Sequence, residues 1–232
     1  MNIALAPLAG RRGLVVGPAQ SAGPAWVCAR RLGALGARLV LGCPQAGAVA
    51  GLASLARRID APLIAVDGAR RGAVEAMVEA SAREIDHFDF VIHGWQLAPS
   101  VEPHARHTAG PDEQLLVALH GACRSTMQIT RLCAPHMPRG GVVVAMHRLA
   151  RPGAGSATAS RSTAESAFES ILRYFALGLE PWGLRLHPLS VAGAADRDAD
   201  DGIGDRVAAL VEPPSVSAPP RVHHRIGAPA WQ

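Results

Sequence analysis

A strand, a glycine-containing turn and a helix near the start of the chain constrain its fold more than any other feature. The short apolar run Gly13–Val16 stops at Gly17, and the next apolar run covers Gly36–Leu41. Between them, apolar residues recur with the period of a helix. Two strands connected through a helix run parallel, because the crossover returns the chain to the same edge of the sheet. This unit therefore predicts a parallel α/β sheet.

The rest of the chain repeats this alternation of apolar runs and helical segments. The later runs are Leu63–Val66, Phe88–Ile92, Val142–Met146 and Leu184–Ser190. Together they predict an α/β fold with a Rossmann-like, doubly wound parallel sheet of about seven strands flanked by helices. The chain has 232 residues, of which 49% are hydrophobic. This length suffices for one well-packed core, so we expect a single domain over residues 1–232.

Composition and charge exclude several classes of function. All 23 basic residues are arginines, and with 19 acidic residues the net charge is +4. The arginines occur singly or in pairs along the whole chain, so we predict no nucleic-acid partner. The four cysteines lack Cys-x-x-Cys spacing, and we predict no metal site. No basic residue precedes the apolar N-terminal run, and no run is long enough to span a membrane, so we expect a cytoplasmic protein without a membrane partner.

Three phrases follow one another along the chain, and they are Phe88–Pro99, Val117–Gly121 and Arg173–His187. In content and order they resemble phrases of the short-chain dehydrogenase/reductase superfamily. The first resembles Phe-Asp-x-x-Val-His-Ser-x-Gly-x-Ala-Pro of bacterial enoyl-ACP reductases. The third resembles Arg-x-Leu-Ala-x-Glu-Leu-x-x-x-Gly-Ile-Arg-Val-Asn, the phrase that closes the catalytic helix of the superfamily. The resemblance extends over Arg12–Gly227 and implies a dinucleotide-binding fold. The last segment, Arg221–Gly227, resembles the seventh strand of the superfamily.

The resemblance also implies that the catalytic positions have lost their usual residues. The superfamily uses an asparagine, a serine, a tyrosine that acts as general acid and a lysine that lowers the pKa of this tyrosine. The aligned phrases place at these four positions Ala118, Arg148, Arg161 or Thr158 (according to the spacing assumed) and Glu165. Arginine is a poor proton donor, and a glutamate would raise the pKa of a nearby phenol. Since the chain has no lysine and a single tyrosine, Tyr174, we expect no catalytic residues.

The positions that would bind a cofactor are better preserved. By resemblance they are Gly17, Ser21, Gly23, Asp67 and Gly94. Ser21 replaces the middle glycine of the usual Gly-x-x-x-Gly-x-Gly turn, so a turn that only leads the chain into a helix is an equally good interpretation. Trp95 and Gln96 are larger than the usual residues and would fill part of the cofactor path. We expect no cofactor, and NAD(P) is an alternative that the sequence disfavours.

These observations favour a catalytically degenerate protein that acts as a structural or regulatory partner. In the superfamily two long helices form subunit interfaces, and here they correspond to residues 112–137 and 158–179. We expect a homo-oligomer, or a hetero-oligomer with an active reductase. Residues 194–204 are expected to form a short acidic loop in place of the usual substrate lid.

Two other functions stay open. The first is an unconventional NAD(P)-dependent oxidoreductase that acts on acyl or ketone substrates. The second is a non-redox enzyme that reuses the cleft through His147, Arg148, Arg161 and Glu165. A structural salt bridge between one of the two arginines and Glu165 is the simpler interpretation of that group. The sequence does not identify the partner, the pathway or the ligand.

Overall fold

The computed structural model describes residues 6–17, 23–43, 49–67, 70–94, 111–148, 156–191 and 197–213. In this part of the chain strands and helices alternate, in the order β1 (Arg12–Val16), α1 (Pro24–Ala34), β2 (Arg38–Cys43), α2 (Val49–Arg58), β3 (Leu63–Ala65), α3 (Ala73–Ile85), β4 (Phe90–His93), α4 (Pro111–Cys133), β5 (Val142–Arg148), α5 (Ser156–Leu177), β6 (Arg185–Val191) and α6 (Arg197–Val211). Short 3-10 turns follow α4 at Ala134–His136 and α5 at Glu180–Trp182.

The six strands form one parallel sheet in the order β3-β2-β1-β4-β5-β6. The strand order reverses between β1 and β4, since β1 is followed in sequence by β2 on one side and pairs with β4 on the other. A crevice opens at the carboxyl ends of the strands at such a reversal, and ligands of doubly wound proteins bind there. The fold prediction is therefore confirmed, and it locates the candidate site.

Apolar side chains on the two faces of the sheet build two cores. On one face, residues of α1 and α6 such as Leu32 and Val207 pack against strand residues such as Val15 and Ile92. On the other face, α3, α4 and α5 cover the intervening strand residues, among them Val91 and Val143. The central strands β1 and β4 are thus buried on both sides, which explains why their sequences are nearly continuous apolar runs.

Two of the sequence predictions concern the end of the chain. The expected acidic loop at 194–204 is wrong from Arg197 onward, because α6 begins there and continues to Val211. A cluster of aspartates suits the first turns of a helix, whose amino end attracts negative charge, so acidic composition did not indicate a loop. The predicted seventh strand, Arg221–Gly227, lies outside the described residues, and the described sheet has six strands.

The helix boundaries agree with the sequence pattern to within a few residues. The predicted segments 112–137 and 158–179 correspond to α4 with its 3-10 turn and to α5. Helices flank the sheet on both faces, as the doubly wound prediction requires. Among the described helices none is long and apolar enough to cross a membrane.

Candidate functional site at the carboxyl edge of the sheet

The floor of the crevice is made by neighbouring residues of the central strands. His93 of β4 is in register with Val16 of β1 and with Ala145 of β5. Gly17 and Gly94 directly follow β1 and β4. The Gly94 N–H donates to the Val16 carbonyl at 2.9 Å. Two glycines therefore stand side by side where the sheet meets the crevice.

The glycine after β1 has a conformation that other residues rarely adopt. Gly17 has φ +91°, in the left-handed region, and its N–H donates to the Gly42 carbonyl at 2.9 Å. This conformation turns the chain sharply out of β1 toward α1. The sequence predicted such a turn here, whereas Ser21, inside the turn, lies outside the described residues.

Helix α1 begins beside these glycines. Its N-cap residue, Gly23, makes no side-chain cap hydrogen bond, and Pro24 occupies the first turn. The free N–H groups at the start of a helix attract anions such as phosphate. A Cβ atom built on Gly94 would lie 2.7 Å from the Ala25 Cβ and 2.8 Å from the Met146 Cε. Gly94 is thus required for the close approach of α1 to the sheet, whatever the crevice binds.

Asp67 lies at the same edge of the sheet, as predicted. It follows β3 by two residues and is exposed, and the preceding Val66 N–H donates to the Cys43 carbonyl at 2.9 Å. The backbone carbonyl of Asp67 accepts from the Arg70 N–H at 2.9 Å, which starts the turn into α3. Its predicted contact with a cofactor stays a prediction.

The four positions to which the resemblance assigns the family's catalytic residues are located by their backbones. Arg148 is the last residue of β5 and pairs with Val191 of β6, and His147 pairs with Ser190. Ala118 lies in the first half of α4, and Thr158, Arg161 and Glu165 lie in the first three turns of α5. The side chains of these residues lie outside what the structure describes, so their convergence stays a prediction. Trp95 and Gln96 also lie outside the described residues.

The single tyrosine is far from this edge. Tyr174 lies near the end of α5, a helix that starts at Ser156 after the carboxyl end of β5 and leads to the start of β6. At about 1.5 Å per residue, Tyr174 is ~27 Å along the helix axis from Ser156. Its residue surface is 79% exposed. The phenol therefore lies toward the opposite edge of the sheet and cannot serve a ligand in the crevice.

His93 is a residue of the crevice floor that sequence reasoning did not single out. Its side chain is 1% exposed, and its Nδ1 lies 3.4 Å from the Thr126 Oγ1 on α4. Burial lowers the pKa of His93 to about 4, so the ring is neutral at neutral pH. Its Nε2 has no hydrogen-bond partner among the described residues. The sequence feature that could have identified His93 is its place as a polar residue directly after the apolar run Phe90–Ile92.

Thr126 belongs to a group of buried polar residues on α4. Ser125 and Thr130 are also buried, and the Thr130 hydroxyl donates to the Thr126 carbonyl at 2.7 Å. Such polar residues in a helix interior are rare unless each finds a hydrogen-bond partner. Among the described residues no group of three or more histidine, cysteine or acidic side chains could hold a metal ion.

The fold and the glycine-edged crevice define a doubly wound α/β protein of the dinucleotide-binding type. The family model described as enoyl-(acyl carrier protein) reductase matches residues 17–217. This match covers most of the chain, and the protein belongs to that family.

Curated relatives support the same assignment. Enoyl-(acyl-carrier-protein) reductase (NADH) 2 of Rhizobium meliloti is 26% identical over 202 residues, which are 87% of this chain and 75% of the relative. Enoyl-(acyl-carrier-protein) reductase (NADH) FabI of Rickettsia conorii is 23% identical over 199 residues, 85% of this chain and 76% of the relative.

Solved structures agree with the fold. The enoyl-(acyl-carrier-protein) reductase of Aquifex aeolicus has a TM-score of 0.74 at 18% identity, covering 89% of this chain and 91% of that one. The Anaplasma phagocytophilum reductase, solved in complex with NAD, has a TM-score of 0.72 at 20% identity, covering 89% of this chain and 86% of that one. At these identities the likeness shows the fold alone.

Proposed function

We propose that this protein is a catalytically degenerate member of the enoyl-(acyl carrier protein) reductase family that acts as a structural or regulatory partner. The position of Tyr174 carries the proposal. A reductase of this type needs a phenol beside its nicotinamide, and the single phenol of this chain is 79% exposed on α5, toward the opposite edge of the sheet.

The residues at the vacated positions support the same conclusion. Arg161 and Thr158 cannot replace a phenol as general acid, because a guanidinium stays charged and an aliphatic hydroxyl is a much weaker acid. Glu165 carries the opposite charge from the expected lysine. A carboxylate at that position would raise the pKa of a neighbouring proton donor, where a lysine would lower it. The proposal therefore does not depend on one substitution.

The surface of α5 supports the partner role. The exposed large hydrophobic residues among those described are Ile171, Tyr174, Leu177 and Trp182. All four belong to the second half of α5 or to the 3-10 turn after it. A monomer rarely concentrates its exposed apolar residues in one place, and such patches mark interaction sites. The partner would be another copy of the chain or an active reductase that uses the same helices.

Steady-state kinetics test the loss of catalysis. The purified protein is mixed with NADH or NADPH and an enoyl thioester such as crotonyl-coenzyme A, and oxidation of the cofactor is followed by absorbance. We expect no oxidation above a buffer blank, while an active family member assayed in parallel gives the positive control. Turnover that increases in proportion to protein concentration would refute the degeneracy.

The partner role has its own measurement. The protein is isolated from its native cell with an affinity tag, and its mass and co-purifying proteins are determined. We expect a complex with an active reductase or with further copies of this chain. A monomer that brings no reductase with it would contradict the partner role.

Dinucleotide binding without catalysis is a second candidate function, because of two observations at the crevice. Gly17 turns the chain with φ +91°, and the start of α1 lacks a side-chain cap. The Anaplasma phagocytophilum structure carries NAD in a related fold. In this function the protein would sense NAD(P) and transmit its presence to a partner.

Isothermal titration calorimetry separates the two functions. NAD, NADH, NADP and NADPH are titrated into the folded protein at neutral pH. Saturable binding below the millimolar range would support cofactor sensing and keep unconventional redox chemistry open. The absence of heat, from protein whose folding is verified by circular dichroism, would rule out both cofactor-dependent functions.

A further inference from the structure

Two arginines lie at the amino edge of the sheet, where the strands begin, on the side opposite the crevice. Arg11 directly precedes β1, and Arg185 is the first residue of β6. Arg185 is in register with Val142 of β5, whose side chain belongs to the core that α1 and α6 cover. Residues in register on neighbouring strands share a face of the sheet. Arg185 therefore lies on the face that carries α6.

The Arg11 side chain extends to the same helix. Its Nη2 donates to the backbone carbonyl of Val211, the last residue of α6, at 3.1 Å, and its Nη1 donates to the Asp89 Oδ1 at 2.9 Å. The side chain is 21% exposed, and its Nε is buried without a hydrogen-bond partner among the described residues. The two contacts fix the guanidinium in place and leave further N–H donors on it unused.

The positive charge of this pair exceeds the negative charge beside it. Asp89 pairs with Arg11, and its second carboxylate oxygen accepts from the Arg12 backbone N–H at 2.8 Å. In the part of the chain that the structure describes, no carboxylate forms an ion pair with Arg185, whose Nη2 donates to the Gly140 carbonyl at 3.4 Å. One of the two guanidiniums is therefore left without a counter-charge.

The two arginines are close enough to repel each other. Arg185 is partly buried, and this burial, together with the charge of Arg11, lowers the pKa of Arg185. Like charges disfavour each other most where water is partly excluded. An anion bound between the two guanidiniums would replace this repulsion with attraction.

The chemistry of two neighbouring guanidiniums favours an oxyanion as the ligand. Each guanidinium presents parallel N–H donors that match two oxygens of one phosphate or carboxylate group. A phosphate carries oxygens in several directions and more than one negative charge near neutral pH, so one phosphate group can contact both arginines. A carboxylate, with two oxygens in one plane and a single charge, satisfies one guanidinium.

From these observations we propose that Arg11 and Arg185 form a binding site for a phosphate-class oxyanion at the amino edge of the sheet. A ligand bound there would connect the start of β1, the start of β6 and the end of α6. The site is separate from the crevice, so the inference does not rest on the proposed function. The ligand would be inorganic phosphate or the phosphate group of a small metabolite.

Isothermal titration calorimetry with inorganic phosphate, in a phosphate-free buffer of low ionic strength at neutral pH, tests the site. The wild type is compared with Arg185→Gln and with the control Arg58→Gln. Arg58 is exposed at the end of α2, which leads into β3 at the opposite end of the strand order from β6. We expect saturable binding to the wild type and the control, and a dissociation constant raised about tenfold or more in Arg185→Gln.

Phenylglyoxal labelling tests the site in the wild-type protein, without any substitution. The reagent attacks the uncharged guanidine, so the lowered pKa of Arg185 favours reaction at this residue. We expect phosphate to slow the labelling of Arg185 in proportion to the occupancy that calorimetry gives, and to leave the labelling of Arg58 unchanged. Peptide mass spectrometry measures both rates.

Adenosine monophosphate distinguishes the two sources of the ligand. If it competes with inorganic phosphate and protects Arg185 from labelling, the site accepts the phosphate group of a larger metabolite. If only inorganic phosphate does so, the site binds the free anion. Either result supports an oxyanion site at Arg11 and Arg185.

Three outcomes would overturn the proposal. They are no saturable phosphate binding by the folded wild type, equal binding by the wild type and Arg185→Gln, and an equal loss of binding in Arg185→Gln and Arg58→Gln. The last would show a general attraction to the net positive charge of the protein. The kinetic assay for lost catalysis reports on the crevice, so its failure and the failure of the oxyanion site are distinguishable.

Discussion

At the scale of single residues, the crevice depends on glycines whose neighbours leave no space for a side chain. Gly94 lies between α1 and the sheet, with the Ala25 Cβ and Met146 Cε both under 3 Å from the position of an added Cβ. The family resemblance identified Gly94 as a cofactor position. The structure adds a packing requirement that would hold even in a protein that had lost its cofactor.

The substitution Gly94→Ala measures this packing requirement. We expect it to lower the free energy of unfolding by about 1–3 kcal/mol, because the added methyl group forces α1 and β5 to shift. Gly51 is the matched control, since it lies within α2 with nothing within 4 Å of an added Cβ. Gly51→Ala should be neutral or stabilising by up to ~1 kcal/mol. Urea unfolding of the three proteins is the measurement, and an unaffected Gly94→Ala would show that α1 is not fixed against the sheet.

At the scale of secondary-structure elements, β4 and α4 are joined by a buried polar contact. His93 and Thr126 are 33 residues apart in sequence, and the His93 Nδ1 lies 3.4 Å from the Thr126 Oγ1 in the buried layer between the sheet and α4. The structure holds His93 neutral, because burial lowers its pKa from 6.5 to about 4. In the unfolded chain the same imidazole titrates near its ordinary value.

This difference predicts a loss of stability in acid. Because the pKa of His93 is lower in the folded state, the unfolded chain binds this proton more readily. The contribution of His93 to the free energy of unfolding is therefore complete above pH 6.5 and is lost as the pH falls toward 4. The full loss corresponds to about 3 kcal/mol, at ~1.4 kcal/mol per pKa unit. We expect His93→Asn to flatten the dependence of unfolding free energy on pH between 7 and 4.5, measured by urea unfolding.

A second histidine provides the control for this measurement. His136 is partly exposed and lies 3.3 Å from Glu79, away from the His93–Thr126 contact. The variant His136→Gln removes an imidazole without touching β4. If His93→Asn kept the same pH dependence as the wild type, the buried imidazole would not be the source of the acid sensitivity.

At the scale of the whole molecule, the edge of the sheet opposite the crevice is held by an ionic network. Asp89 accepts from the Arg11 Nη1 at 2.9 Å and from the Arg12 backbone N–H at 2.8 Å. The Arg11 Nη2 also donates to the carbonyl of Val211, the last residue of α6, at 3.1 Å. One carboxylate thus connects the start of β1, the start of β4 and the end of α6.

Two aspartates in this network allow a matched comparison. The side chain of Asp89 is 11% exposed, whereas that of Asp86, which pairs with Arg12 at 2.6 Å, is 76% exposed. We expect Asp89→Asn to cost about 2–4 kcal/mol of unfolding free energy, because it leaves the partly buried Arg11 without its negatively charged partner. Asp86→Asn should cost at most ~1 kcal/mol, as for other exposed ion pairs. An equal loss of unfolding free energy in the two variants would show that burial does not determine how much these ion pairs stabilise the fold.

Much of this architecture could be predicted because it depends on local patterns. The alternation of apolar runs and helical periods determined a doubly wound parallel sheet, and the turn at Gly17 marked its crevice. The same local reading failed for Arg197–Gly204, where an acidic composition suggested a loop. Aspartates suit both a solvated loop and the first turns of a helix, and the sequence alone did not distinguish them.

By itself, the sequence determined the fold class and the family resemblance, and it predicted which residues occupy the positions that the family uses for catalysis. Only the tertiary structure decided that Gly94 is closed in by α1, that His93 meets Thr126, and that Tyr174 is exposed at the far end of α5. The physical reason is that burial and contact depend on segments distant in sequence. The chemistry of a side chain follows from the residue type, whereas its burial and its contacts depend on how the helices and strands pack.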